Sequence, residues 1–217
     1  MNRVLLLIDD KKDMSYLESL IAFKKLFKGY LEIDIDNPEC LTLEKLRDYR
    51  LVITYDHVSL QNTSVEFASK FISYVAGGGG WLALHNGTLV GNSDGLATLL
   101  GARKTSELPD QTYDFIITTP EHPAMQATKG FKMTSKAYQY AFSTIRPGPR
   151  QNKRALLFEY LHNMTVGTGG WAQEFCLGKV VGSGLCSDIK CLDNSMFAQI
   201  IRQCGLWAAG ETAHQLQ

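Results

Sequence analysis

The stretch Tyr74-Val75-Ala76-Gly77-Gly78-Gly79-Gly80-Trp81-Leu82-Ala83-Leu84-His85-Asn86-Gly87 places a polar His-Asn-Gly turn where a buried strand should hand over to a helix. In open α/β sheets that edge is where ligands bind. The four glycines follow an apolar-periodic helix, Val65 to Val75, so they read as a helix stop and a flexible turn. A phosphate cradle or dinucleotide fingerprint would need its glycines after the strand and before the helix. Interest therefore moves downstream, to His85.

Working outward, four strand-like runs alternate with helical patterns: Arg3 to Ile8, Leu31 to Ile35, Leu51 to Tyr55 and Trp81 to Leu84. The helices between them are signalled by Asp13, by Thr42 and by Thr63 or Ser64, each ahead of apolar residues at helical spacing. Strands separated by helices mean right-handed βαβ units and a mainly parallel α/β sheet. After Gly101 the texture changes to shorter β-like segments, Tyr113 to Thr118, Phe131 to Met133, Arg154 to Phe158, Trp171 to Cys176 and Lys179 to Ser183, which predict mixed or antiparallel pairing. Pro120 to Thr128 and Ile145 to Lys153 read as irregular, and a helix over about Asp193 to Ala209 precedes a polar tail. Without repeats or a dividing linker, residues 1–210 are expected to form a single domain, with 211–217 as the tail.

Composition bounds the function. A chain of 217 residues and 24.2 kDa should bury roughly 70% of its unfolded surface on folding, so no second stabilising device is required. With 22 basic against 22 acidic residues there is no electrostatic case for a nucleic-acid or membrane-surface partner. The first apolar run is short and leads straight into Asp9 and Asp10, which reads as a strand and not as a targeting peptide. Five cysteines without C-x-x-C spacing fit a reducing, cytoplasmic setting, and the sequons at Asn62, Asn86 and Asn163 then read as chance matches. Of the thiols, only Cys186 is held open as more than a small buried hydrophobe.

Polar residues recur at the C-terminal ends of the predicted strands: Asp9-Asp10, Asp56-His57, His85-Asn86, and Cys186-Ser187-Asp188 within the Gly182 to Asp188 turn. Loops converging on one sheet edge make a crevice. A nucleophile elbow needs Ser or Cys at its tip, and this tip is His85, which argues against a hydrolase or glutaminase triad there. The histidines lack zinc spacing, although Asp9, His57 and His85 would suit zinc or manganese if brought together. Trp171, Tyr138 and Tyr140 offer flat faces for a polyol, whereas Trp81, in mid-strand, reads as core.

These segments together resemble the ThuA-like (trehalose-utilisation) family of the class I glutamine-amidotransferase-like superfamily. The resemblance rests on Leu51 to Tyr55, Tyr74 to Asn86, Glu121-His122-Pro123, Tyr138-Gln139-Tyr140, Trp171 to Val181 and Leu206 to Gly210. It implies a flavodoxin-like three-layer α/β/α sandwich and a role in carbohydrate metabolism, on a disaccharide or an oxidised sugar derivative, with the amidotransferase nucleophile absent. His85, Tyr55, His122, Trp171 and Glu174 carry over. Departures are Asp9-Asp10-Lys11 for Gly-Gly-His, Ser135-Lys136 for an acidic pair and Cys186-Ser187 for Gly-His, so the family's ligands for a divalent metal are partly missing. On this reading His85, Asp9 and Glu174 are the expected catalytic groups. Asp10, Tyr55, Asp56, His57, Asn86, His122, Tyr138, Trp171 and Ser187 are expected to bind a small sugar ligand. The alternatives are a non-catalytic scaffold forming a homodimer, and an amidotransferase using Cys186 or Cys176.

Overall fold

A computed structural model describes residues 3–8, 16–56, 58, 60, 64–91, 93–143, 154–162 and 164–211. The first half is built from β1 (Arg3–Leu7), α1 (Tyr16–Leu26), β2 (Glu32–Asp36), α2 (Leu43–Leu46), β3 (Leu51–Thr54), α3 (Val65–Ala76), β4 (Gly80–Leu84) and α4 (Asp94–Leu100). The second half adds β5 (Ala102–Ile117), β6 (Phe131–Phe142), β7 (Ala155–His162), β8 (Thr165–Phe175), β9 (Gly178–Ser183) and α5 (Ser195–Ala208). All nine strands form one sheet in the order β2-β1-β3-β4-β9-β8-β7-β5-β6. Its first five members pair in parallel and the remainder in antiparallel fashion. The parallel part has the flavodoxin-like 2-1-3-4-5 order.

Burial explains the three layers. β3 and β4 are buried at every position, as strands covered on both faces must be. Val4, Leu6, Ile53 and Leu82 meet Phe23 and Phe27 of α1 and Phe197, Ile200 and Ile201 of α5. Leu5, Leu7, Val52, Trp81 and Ala83 meet Leu46 of α2, Phe67 and Phe71 of α3 and Leu96 and Leu99 of α4. Each such side chain contributes about 1.5–3 kcal/mol when fully buried.

The helix starts obey their capping residues. Thr42 accepts a hydrogen bond from Lys45 N at 3.2 Å and Ser64 from Phe67 N at 3.1 Å, satisfying amides that a helix start leaves orphaned. Asp13, expected to start α1, lies outside the described residues. α3 ends at Gly77, and the glycines that follow have a packing role as well: a Cβ on Gly80 would lie 2.3 Å from the Ala208 carbonyl oxygen.

Three features depart from expectation. α4, opened by Ser93, was not foreseen, because only seven residues carry its pattern. The His85 turn reaches it through a 3-10 turn, His85–Thr88. β5 and β6 are much longer than the segments read from sequence, because register shifts between Lys104 and Ser106 and between Leu108 and Gln111 interrupt the strand alternation. The last helix starts at Ser195, after a separate 3-10 turn over Ile189–Asp193.

Candidate functional site at the C-terminal edge of the sheet

Thr54 ends β3 and places Asp56 in the loop beyond it, while Leu84 ends β4 and places His85 directly after it. Parallel pairing of β3 with β4 makes these two ends neighbours. The turn is clamped from beneath: Trp81 Nε1 donates to Thr54 Oγ1 at 2.9 Å, and Thr54 Oγ1 donates to the Gly87 carbonyl at 2.8 Å. Gly87 sits so close to β3 that a Cβ would lie 2.1 Å from Thr54 O. His85 itself has φ of 45°, a left-handed conformation that costs a non-glycine residue of order 1–3 kcal/mol and persists only where the surroundings impose it. The turn has the strained backbone that a nucleophile elbow has at its tip, with an imidazole where such an elbow carries a thiol or hydroxyl.

Asp56 Oδ1 lies 2.7 Å from His85 Nδ1 and also accepts from Asn86 N at 3.4 Å. The His85 side chain is only 7% exposed, and among the described residues its Nε2 has no hydrogen-bond partner. A carboxylate on Nδ1 selects the Nδ1–H tautomer, which leaves Nε2 with its lone pair. Tyr138 stacks on the imidazole, with ring centroids 4.4 Å apart and planes 22° from parallel. The Tyr138 hydroxyl donates to Asn86 Oδ1 at 2.6 Å, and burial pushes its pKa up to about 12, keeping it a donor. Lys104 Nζ lies 3.5 Å from the Tyr138 ring centroid, so lysine and histidine occupy opposite faces of that ring.

Tyr138 reaches this edge from β6, a terminal strand of the sheet, because the β5–β6 hairpin bends at its two register shifts. β-Bulges bend the strand that carries them. Only Asp114–Ile117 of β5 pair with β7, while the part beyond the bend brings Tyr138 N to Gly184 O at 3.2 Å and Tyr140 to Thr88 Oγ1 at 2.7 Å.

The structure therefore brings together His85, Asp56, Asn86 and Tyr138. Asp9, Asp10 and His57 lie outside the described residues. Tyr55 is buried in the layer below, edge-on to Phe23 at 5.8 Å. Burial first, then the neighbouring Cys186 thiol, raises the pKa of its hydroxyl. Ser187 holds the hairpin instead, accepting from Lys136 N at 3.3 Å.

Three expected residues are placed elsewhere. Trp171 is fully buried, donates from Nε1 to Leu100 O at 2.8 Å, and packs against Tyr140 and Phe142; it is core, with no face open to a sugar. Glu174 pairs with Lys179, which in turn faces Gly80 at the start of β4. The antiparallel direction of β8 thus puts Glu174 at the opposite edge of the sheet, roughly 16 Å along the strands at about 3.3 Å per residue. His122 caps the 3-10 turn Pro123–Met125 through Ala124 N and packs against Trp207 at 4.8 Å, whose ring also receives Lys179, on the same far side. Lys104, Thr54 and Thr88 escaped notice in the sequence, since their roles depend on the hairpin bend and on backbone contacts between strands.

Among the described residues no three His, Cys, Asp or Glu side chains converge as a metal site, and His85 Nδ1 is already engaged by Asp56. Nor does the elbow carry a thiol: Cys186 is buried beside Tyr55 and Cys191, and Cys176 lies in the turn after β8. What the edge holds is an oriented imidazole with a carboxylate behind it, an arrangement that can accept and return a proton.

Comparison with known proteins agrees with the fold. A ThuA-like protein from Bacteroides uniformis superposes with a TM-score of 0.76 at 17% identity, covering 99% of this chain and 95% of that one. One from Parabacteroides merdae gives 0.73 at 13% identity, covering 98% and 91%. A β-galactosidase from Bacillus circulans contains a similar fold in 32% of its length, with a TM-score of 0.66 and 15% identity over 98% of this chain. No curated protein matches the sequence. The family described as ThuA, trehalose utilisation, matches residues 3–208, and the chain belongs to that family.

Proposed function

We propose that this ThuA protein binds a sugar derivative, a trehalose-type disaccharide or an oxidised sugar, at the C-terminal edge of the sheet and moves a proton on it through His85. One observation carries the reading: His85 is held at both its Nδ1 and its ring face by Asp56 and Tyr138, while Nε2, buried and without a partner among the described residues, is left as the acceptor. A neutral imidazole with a free ring nitrogen can take a proton from a sugar hydroxyl or from carbon beside a keto group. Asp56 then stabilises the imidazolium, the role of the buried carboxylate in a catalytic triad. Asn86, its Oδ1 occupied by Tyr138, retains its amide N–H groups for a ligand oxygen. Asp9 and Asp10, which follow Ile8 beyond β1 in sequence, and His57, next after Asp56, are proposed as further contacts. Family membership and the carbohydrate-active context of one fold neighbour support a sugar over other small polar ligands.

A screen of disaccharides and keto-sugars, read by ligand NMR and by turnover, tests the reading. Binding by the wild type and its loss in His85→Ala, with an unchanged circular dichroism spectrum, is the expected result. A second reading, a non-catalytic scaffold assembling as a homodimer, draws on Ile116, Leu161, Met164 and Val166, which are exposed together on the antiparallel half. Light scattering showing a dimer, with no sugar bound, would favour it.

A further inference from the structure

The edge of the sheet opposite His85 gathers positive charge. Arg3 opens β1 and Arg50 stands just before β3, and parallel pairing of those strands, with Arg50 N donating to Arg3 O at 2.9 Å, makes the two residues neighbours. Arg47 directly follows α2. With Asp48, Tyr49 and the glycines at 77, 78 and 79, these arginines line a cavity of about 390 Å³. Arg3 is fixed there: its Nε and Nη2 donate to Asp34 Oδ2 at 3.1 and 2.8 Å, and its guanidinium lies 4.7 Å from the Tyr49 ring centroid. Arg47 and Arg50 are exposed, and among the described residues their guanidinium groups form no ion pair or hydrogen bond.

The glycine turn contributes room and no charge. Its amides are already engaged in ending α3, with Gly77 N donating to Ser73 O, Gly78 N to Val75 O and Gly79 N to Tyr74 O at 3.0, 3.0 and 3.1 Å. A Cβ on Gly78 would meet nothing nearer than 3.9 Å, so the space beside it is open. The carbonyl end of α3 opposes an anion with about half an elementary charge, against three guanidiniums and the single Asp48 carboxylate on the cavity wall.

We propose that this cavity binds a phosphate dianion, free or esterified to a group the size of one sugar ring. The site stands independently of the reading at His85. A guanidinium presents its N–H groups in a planar fork that matches phosphate oxygens two at a time, where an ammonium is only a point charge. Arg47 and Arg50 supply two open forks, and Arg3, held by Asp34, adds a fixed charge. The volume falls within the range of roughly 300–1,000 Å³ typical of small-ligand sites, and the positive charge is local, since 22 basic and 22 acidic residues leave the chain neutral. Both features fit a small anion and not an extended polyanion.

Isothermal titration calorimetry of the full chain at low salt, with inorganic phosphate and with glucose 6-phosphate as probes, measures the affinity. Correlation NMR of the ¹⁵N-labelled chain with the same probes locates the site. The expected result is saturable one-to-one binding that weakens as salt rises, with amide shifts at Gly77, Gly78 and Gly79. Arg47→Gln and Arg50→Gln should each weaken binding about tenfold at an unchanged melting temperature, and His85→Ala, at the opposite edge, should leave phosphate binding unaltered. Tighter binding of glucose 6-phosphate than of inorganic phosphate assigns the site to a phosphate ester, and equal affinity assigns it to the free ion. No saturable binding of either probe, full affinity in the Arg47→Gln/Arg50→Gln double variant, or shifts centred on His85 in place of the glycine turn would overturn the proposal.

Discussion

Asp56 Oδ1 and His85 Nδ1 lie 2.7 Å apart although 29 residues separate them, because parallel pairing of β3 and β4 sets their C-terminal ends side by side. The contact fixes which nitrogen of His85 carries the proton and which remains basic. Replacing His85 by Ala should lower sugar turnover by roughly 10²- to 10⁴-fold, and Asp56→Asn by a smaller factor within that range. Steady-state kinetics decide it, and equal turnover in wild type and His85→Ala would remove the imidazole from the chemistry.

Tyr138 supports the site in two separable ways. Tyr138→Phe keeps the stack on His85 and deletes the hydrogen bond to Asn86, so it should cost about 1 kcal/mol of stability. Tyr138→Ala removes both and should cost about 3 kcal/mol or more. Urea midpoints of the two variants give the difference, and equal losses would show that the ring contributes nothing.

The clamp beneath the turn predicts non-additivity. Thr54→Val leaves the Trp81 indole N–H and the Gly87 carbonyl without their partner, at about 1–3 kcal/mol for each buried orphan. In a Trp81→Phe background the indole orphan no longer exists, so Thr54→Val should cost less there than in the wild type. A double-mutant cycle in denaturant measures the coupling.

Much of this architecture is legible in the sequence, and the limits are physical. Thr42 and Ser64 cap α2 and α3 as read, because a cap is a local hydrogen bond within three residues. β1, β3 and β4 are near-continuous apolar runs, and His85 stands at a strand end that any βαβ reading finds. Pairing direction is not local: Glu174 looked like a partner for His85 until the antiparallel course of β8 carried it to the other edge. Trp171 looked like a sugar platform because composition does not say which aromatic faces are already covered. The stack of Tyr138 on His85 depends on two bulges in a long hairpin, which no spacing rule reveals.

At the far edge, His122 supplies a pH-dependent term. Burial, with the Lys179 charge second, lowers its pKa from the ordinary 6.5, while Nδ1 accepts from Ala124 N. The folded state therefore favours the neutral ring. Its contribution is complete above pH 6.5 and is lost as pH falls below that value, because the unfolded chain binds the proton first. His122→Asn, which keeps a capping oxygen, should flatten the fall in melting temperature between neutral and mildly acid pH. An unchanged slope would assign that fall to other groups.

The most direct test of the central claim is the state of the His85 ring, read by ¹⁵N–¹H correlation NMR on histidine-labelled protein before and after adding disaccharides and keto-sugars. The account predicts the Nδ1–H tautomer in the free protein and a shift of Nε2 when a sugar derivative binds. An Nε2–H tautomer, or a ring that no sugar perturbs at saturating concentration, would contradict it.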